Sequence, residues 1–174
     1  PDAQGNSTLV PIAGGKPAAE LKGKQLEAAN ALRDDFRTDT KDFATVADSY
    51  GGIISSLQLR EGFGDTAAIY GLVRLMDPGS VVREGELATA QNAPGLTEGL
   101  RNQVNNWLSK GVLTDTSRAQ LLRTARVNYH SRRKGAERTT GRYEERARRA
   151  GLEPADVITE YSAQGEDAVD GMLE

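Results

Sequence analysis

Residues 29–60, ANALRDDFRTDTKDFATVADSYGGIISSLQLR, decide the fold. Ala29, Phe36, Phe43, Tyr50 and Leu57 recur every seven residues. Leu32, Val46 and Ile53 fill the second apolar position of the same heptad, which Asp39 and Arg60 interrupt. Apolar residues spaced three and four apart lie on one side of an α-helix, so the stretch reads as a long amphipathic helix with a coiled-coil-like seam, spanning about residues 19–59. Packing of that seam inside the chain is favoured over a coiled coil between chains, with Asp39 setting register. Gly51 and Gly52 each weaken a helix by about 1 kcal/mol relative to Ala, which predicts a kink near its C-terminal third.

Punctuation divides the remainder. Gly62-Phe63-Gly64 reads as the break after the first helix, with Asp65 capping a short helix that has Ile69, Tyr70, Val73 and Met76 on its apolar side. Asp77-Pro78-Gly79-Ser80 stops it and starts another helix to about Gln91. Asn92-Ala93-Pro94-Gly95 is a further break. Thr97 caps a helix carrying Leu100, Val104, Trp107 and Leu108, which Gly111 ends. Thr114 or Asp115 starts the last helix, to about Ala150, with Gly151 as its stop and a sparse stripe of Leu122, Ala125, Tyr129, Ala136, Tyr143, Ala147 and Ala150. No stretch alternates like a strand. The fold class is all-α: two long helices bracket about three short ones. Residues 1–16 form an extended arm or linker with one apolar patch, Leu9-Val10-Pro11-Ile12. Residues 17–152 form the helical domain, and residues 153–174 an acidic tail with a short helical turn that frays or binds something basic.

The means for a large core are thin. Of 174 residues, 37% are hydrophobic and 5% aromatic, with three Phe and one Trp. There is no cysteine and one histidine, His130, so thiolate chemistry is excluded and a histidine metal site within one chain is not expected. No apolar run approaches the roughly 18 residues of a membrane span. The chain opens on Pro1 rather than Met, which reads as a processed or partial chain.

The net charge of −3 hides an asymmetry. Residues 118–149 hold eleven Lys/Arg against three Glu, whereas residues 153–174 hold seven Asp/Glu and no Lys/Arg. Arg126, Arg132, Arg133, Lys134, Arg138 and Arg142 are the candidates for contact with DNA or an acidic partner. The competing reading pairs the basic helix with Glu20, Glu27, Asp34 and Asp35 on the first helix. Protein contact is favoured over nucleic acid, because the chain is acidic overall and lacks base-reading motifs. Glu84 and Glu86 are the one carboxylate pair near a turn. Residues two apart on a helix do not face each other, and acids in a first turn serve the helix dipole, so capping is favoured over catalysis. No Gly-x-Ser-x-Gly, phosphate loop or His-Glu-x-x-His occurs. No enzyme activity, catalytic residue, cofactor or metal is expected.

The run Asp65–Ala93, DTAAIYGLVRLMDPGSVVREGELATAQNA, resembles a segment that recurs in virion proteins of tailed bacteriophages. There an apolar helix is followed by Leu-Asp-Pro-Gly-Ser-Val-Val-Arg-Glu-Gly-Glu and then Ala-Thr-Ala-Gln-Asn. Here Met76 follows Leu75, and Asp77 through Glu86, with Pro78, Gly79, Ser80, Arg83 and Glu84, match throughout. Flanking helices and the closing Gly151–Ile158 extend the likeness more loosely over about residues 20–160. The resemblance implies a structural, oligomeric internal or ejection protein that forms or plugs the genome-delivery channel. Its partners would be portal, tail or other ejection proteins and, non-specifically, genomic DNA. Its location would be the head or tail and then the host envelope or periplasm. The alternative is a tail or neck connector, or a tape-measure-type component, that stays in the particle. The short chain, basic last helix and acidic tail depart from the pattern.

Overall fold

Ala18–Gln58 form one unbroken helix, α1, about 60 Å long at 1.5 Å per residue. In this computed structural model residues 18–79, 97–166 and 169 are described. Three further α-helices follow among them: α2 (Gly62–Met76), α3 (Glu98–Lys110) and α4 (Asp115–Arg149), then a 3₁₀ turn at Pro154–Asp156. There is no strand among the described residues, so the all-α class is observed. No helix among them is long and apolar enough to cross a membrane. The expected arm at 1–16 and the expected helix from Ser80 to Gln91 lie outside the described residues.

The seam expected on α1 packs against the chain's own α4. Phe36 meets Tyr143 edge-on at 5.4 Å between ring centroids, Phe43 stacks on Tyr129 at 5.9 Å, and Tyr50 stacks on Tyr129 at 4.5 Å. Early residues of α1 face late residues of α4, so the two run antiparallel. Each aromatic pair contributes roughly 0.5–1.5 kcal/mol beyond its buried area, which matters in so lean a core. Phe36, Val46, Tyr50, Ile53 and Leu57 are buried, while Leu32 and Phe43 are partly buried against the same core. Asp39, the polar gap in the heptad, accepts a hydrogen bond from Tyr143 Oη at 2.8 Å. The gap is therefore a specific contact that fixes register between the long helices.

Two core clusters result. The larger joins the C-terminal half of α1 with α2, α3 and the N-terminal half of α4 around Ile53, Leu72, Trp107 and Leu121. The smaller joins Phe36, Tyr143, Ala147 and Val157 at the slender end. Small residues allow the close approaches. A Cβ on Gly71 would lie 2.8 Å from Ile53 Cγ1, and one on Gly64 2.4 Å from the Ser56 carbonyl oxygen.

Several expectations need correction. The first break lies at Leu59–Glu61, not at Gly62–Gly64: Leu59 and Arg60 N–H close short turns onto Ser56 and Leu57, and Arg60 takes φ 50°. Helix α2 then begins at Gly62, so Asp65 is not its cap. Its carboxylate is 1% exposed and reaches across the fold. It accepts from Leu113 N–H at 2.9 Å and from Arg118 Nε and Nη2 at 2.7 and 2.8 Å. The expected kink at Gly51-Gly52 is replaced by continuous helix, where Gly51 instead lets the backbone of Gln164 approach: a Cβ would lie 3.0 Å from its nitrogen. Ala150 is exposed rather than part of the stripe. The caps at Thr97 and Thr114 form, each hydroxyl accepting from the backbone three residues on. Gly111 and Gly151 both take φ 69° at helix ends. After α4, Leu152 N–H returns to the Ala147 carbonyl and Gly151 N–H to that of Arg148, a Schellman motif.

The acidic tail, as far as it is described, folds back on the bundle instead of fraying. Ala163 and Val169 are buried in the larger core and Val157 in the smaller. Tyr129 Oη accepts from Ala163 N–H at 3.4 Å and donates to Glu166 Oε2 at 3.2 Å.

Two measurements check this packing. Gly64→Ala should lose about 1–3 kcal/mol in urea unfolding, because a backbone carbonyl blocks the new methyl. Gly52→Ala, with nothing within 4 Å, should gain about 0.5–1 kcal/mol. The Asp65 clamp has a pH signature. Burial opposes its ionisation, but the hydrogen bond and charge of Arg118 and the Leu113 N–H outweigh burial, holding the carboxyl below its ordinary 3.8. A depressed carboxylate stabilises the fold above its unfolded value, and that contribution is lost as pH falls through the folded value. Asp65→Asn should therefore cost on the order of 3 kcal/mol at pH 7, with the gap to the parent narrowing below about pH 4. A gap that stays constant down to about pH 2 would contradict this.

Candidate polyanion interface on the basic helix

Helix α4 carries its cations on more than one side, and the structure sorts them. Arg118 is 15% exposed and bound to Asp65, with Asp115 at 3.0 Å. Arg133 pairs with Glu137 at 3.1 Å and with Glu166 of the returning tail at 3.1 Å. Arg146 lies 3.4 Å from Asp35 and sits over the Tyr143 ring at 4.7 Å. Arg148 and Arg149 pair one turn back with Glu144 and Glu145. Arg132 donates to the Met76 carbonyl at 2.8 Å, where the C-terminal end of α2 is partially negative. Of the acids named as partners from sequence, Asp35 is the one seen paired with an α4 cation among the described residues.

Of the six candidates, Lys134, Arg138 and Arg142 form an outward stripe. They are exposed and one turn apart, and Arg142 makes a single bond to Thr139 Oγ1 at 3.1 Å. Lys134 and Arg138 have no ion pair among the described residues. Arg126 is half-buried. The six candidates thus fall into an outward group (Lys134, Arg138, Arg142) and a group drawn toward the protein (Arg126, Arg132, Arg133). Sequence spacing could not separate them, because it does not show where Glu166 or the end of α2 would arrive.

Around Arg133 the tail closes a node. Glu166 receives Arg133 and Tyr129, with His130 Nε2 at 3.8 Å. Burial first, and then the neighbouring Glu166, raise the Tyr129 phenol above its ordinary value. Burial and Asp39 do the same for Tyr143. Both hydroxyls therefore remain donors at neutral pH. A cavity of about 350 Å³ beside the node is lined by Thr40, Phe43, Arg133, Thr140, Tyr161 and Ser162, among others. Among the described residues no group of His, Cys, Asp or Glu is arranged to hold a metal. Of the resemblance block, Asp77 caps α2 with its N–H on the Val73 carbonyl at 3.0 Å, and Pro78 and Gly79 follow. Ser80, Arg83, Glu84 and Glu86 lie outside the described residues. Sequence reasoning missed the Asp65–Arg118 and Tyr129–Glu166 contacts. The available signal for the first was a lone carboxylate inside the apolar run GFGDTAAIYGLVRLM.

Three outward cations set the scale of any phosphate contact. The log–log salt slope for duplex DNA should lie near −3 and shrink by about 2 in Lys134→Ala/Arg138→Ala. Arg133→Ala should barely change the slope but should lower stability, because it leaves Glu166 poorly compensated. Absence of binding by the parent at low salt would remove the interface. Compared with protein families, curated proteins and solved structures, the chain matches none.

Proposed function

We propose that the chain is a structural protein of a tailed-phage virion, of the internal or ejection kind, working by shape and contact rather than catalysis. The observation that carries this reading is the Asp77–Glu86 block directly after the apolar helix α2, which resembles the recurring virion segment. Two further features support it. The α1–α4 pair offers a rod about 60 Å long for lateral packing against copies or neighbouring virion proteins. The outward stripe Lys134, Arg138 and Arg142 suits transient, sequence-independent contact with genomic DNA. In this reading the partners are portal, tail or other ejection proteins and further copies of the chain. The protein starts in the head or tail and moves to the host envelope or periplasm with the genome.

Quantifying the protein in particles before and after triggered DNA release checks the proposal. An ejection protein leaves with the DNA, so its signal should fall by most of its initial amount. Retention in emptied particles would favour a tail or neck connector instead, and absence from particles would overturn the virion reading.

A further inference from the structure

Three of the five large hydrophobic side chains most exposed among the described residues converge at one end of the bundle. Phe63 is 75% exposed, Leu59 59% and Val112 58%. They come from the α1–α2 and α3–α4 turns, which touch: a Cβ on Gly62 would lie 3.1 Å from the Gly111 carbonyl oxygen and 3.3 Å from Val112 Cγ2. Leu59 lies beside the first turn of α2, its Cβ 3.1 Å from the position a Gly64 Cβ would take. The other two, Leu26 and Val127, stand elsewhere on α1 and α4. Single exposed apolar side chains are ordinary, but a contiguous group of this kind marks a contact surface.

Charge chooses the occupant. The rim carries Arg60 and Lys110 against Glu61 and Asp115, all exposed, so its formal charge cancels. Such a rim does not attract a polyanion, an anionic lipid surface or a strongly basic partner. Arg60 lies 4.0 Å from Asp115 within the chain, and no ion pair among the described residues holds Lys110 or Glu61. Across a two-fold axis Lys110 of one copy can therefore face Glu61 of the other, around apolar side chains brought together in the centre. The chain's own apolar segment Leu9–Ile12 cannot cover the patch. Nine residues from Leu9 to Ala18 span at most about 32 Å, whereas the patch lies about 60 Å away along α1.

We infer that this end is a self-association surface, at which two copies meet end to end through Phe63, Leu59 and Val112. The heptad seam, already filled within the chain, leaves this end as the apolar surface open to a second copy among the described residues. The inference does not depend on the virion reading.

Sedimentation equilibrium of the full chain from about 10 μM to about 1 mM covers the range expected for a small interface. A monomer–dimer equilibrium is expected, and Phe63→Asp should weaken it at least about tenfold with unchanged helical circular dichroism. The chain has no cysteine, so Phe63→Cys introduces its sole thiol. Under mild oxidation it should form disulfide dimers faster than Lys134→Cys, which lies on the outward face of α4. A monomer throughout the range, association that survives Phe63→Asp, or association lost instead on deleting residues 1–16 would each overturn the inference.

Discussion

The buried carboxylate of Asp65 is the constraint on which the arrangement of helices depends. One side chain on the first turn of α2 fixes the Leu113 N–H just before α4 and the guanidinium of Arg118 on its first turn. It therefore joins α2, the α3–α4 turn and α4 at one end of the bundle. A carboxylate removed from water costs several kcal/mol unless its acceptors are filled, and here three donors fill them. The penalty makes the contact selective: any packing that separates α2 from α4 strands a charge in an apolar setting. A Leu at position 65 would fill the space without specifying which helix ends meet.

Register along the long helices is set in the same way, by polar groups inside aromatic contacts. The rings of Phe36, Phe43 and Tyr50 would tolerate sliding against Tyr129 and Tyr143, since stacking energies vary gently with offset. The bond from Tyr143 to Asp39 does not tolerate it, and a slip of one turn, about 5.4 Å, would break it. The bonds of Tyr129 Oη to Ala163 and Glu166 hold the tail to α4 instead. With few large apolar residues available, the chain fixes one alignment of the long helices through a phenol that is both packed and hydrogen-bonded.

These polar contacts also mark where the sequence stops being readable. Helix existence followed from local rules. The heptad on α1, the hydroxyl caps Thr97 and Thr114 and the stop glycines Gly111 and Gly151 each act over one or two turns, and each is found where the pattern placed it. The role of Asp65 was misread, because a carboxylate three residues after a glycine fits a cap as well as a buried clamp, and its partners lie 48 and 53 residues away. The tail was legible only in part. Of fraying or binding something basic, the second is seen where Glu166 meets Arg133, but Ala163, Gly165 and Val169 carry the docking, and small residues leave little trace in a hydropathy pattern. The candidate contact residues on α4 were legible as a set but not by face, since which cations are neutralised depends on the arrival of Glu166 and Asp35 from distant parts of the chain.

The opposite charges of α4 and the tail are therefore not two separate interaction modules. Glu166 takes up Arg133 and Tyr129 on one side of the helix, while Arg146 is held by Asp35 on another. Of the six candidate cations on α4, three form an outward stripe and three are drawn toward the protein. A counterion-release contact of that size is weak and reversible. In the proposed virion reading, such a contact would let nucleic acid slide past rather than stay bound, and assembly would rest on apolar surfaces elsewhere on the chain.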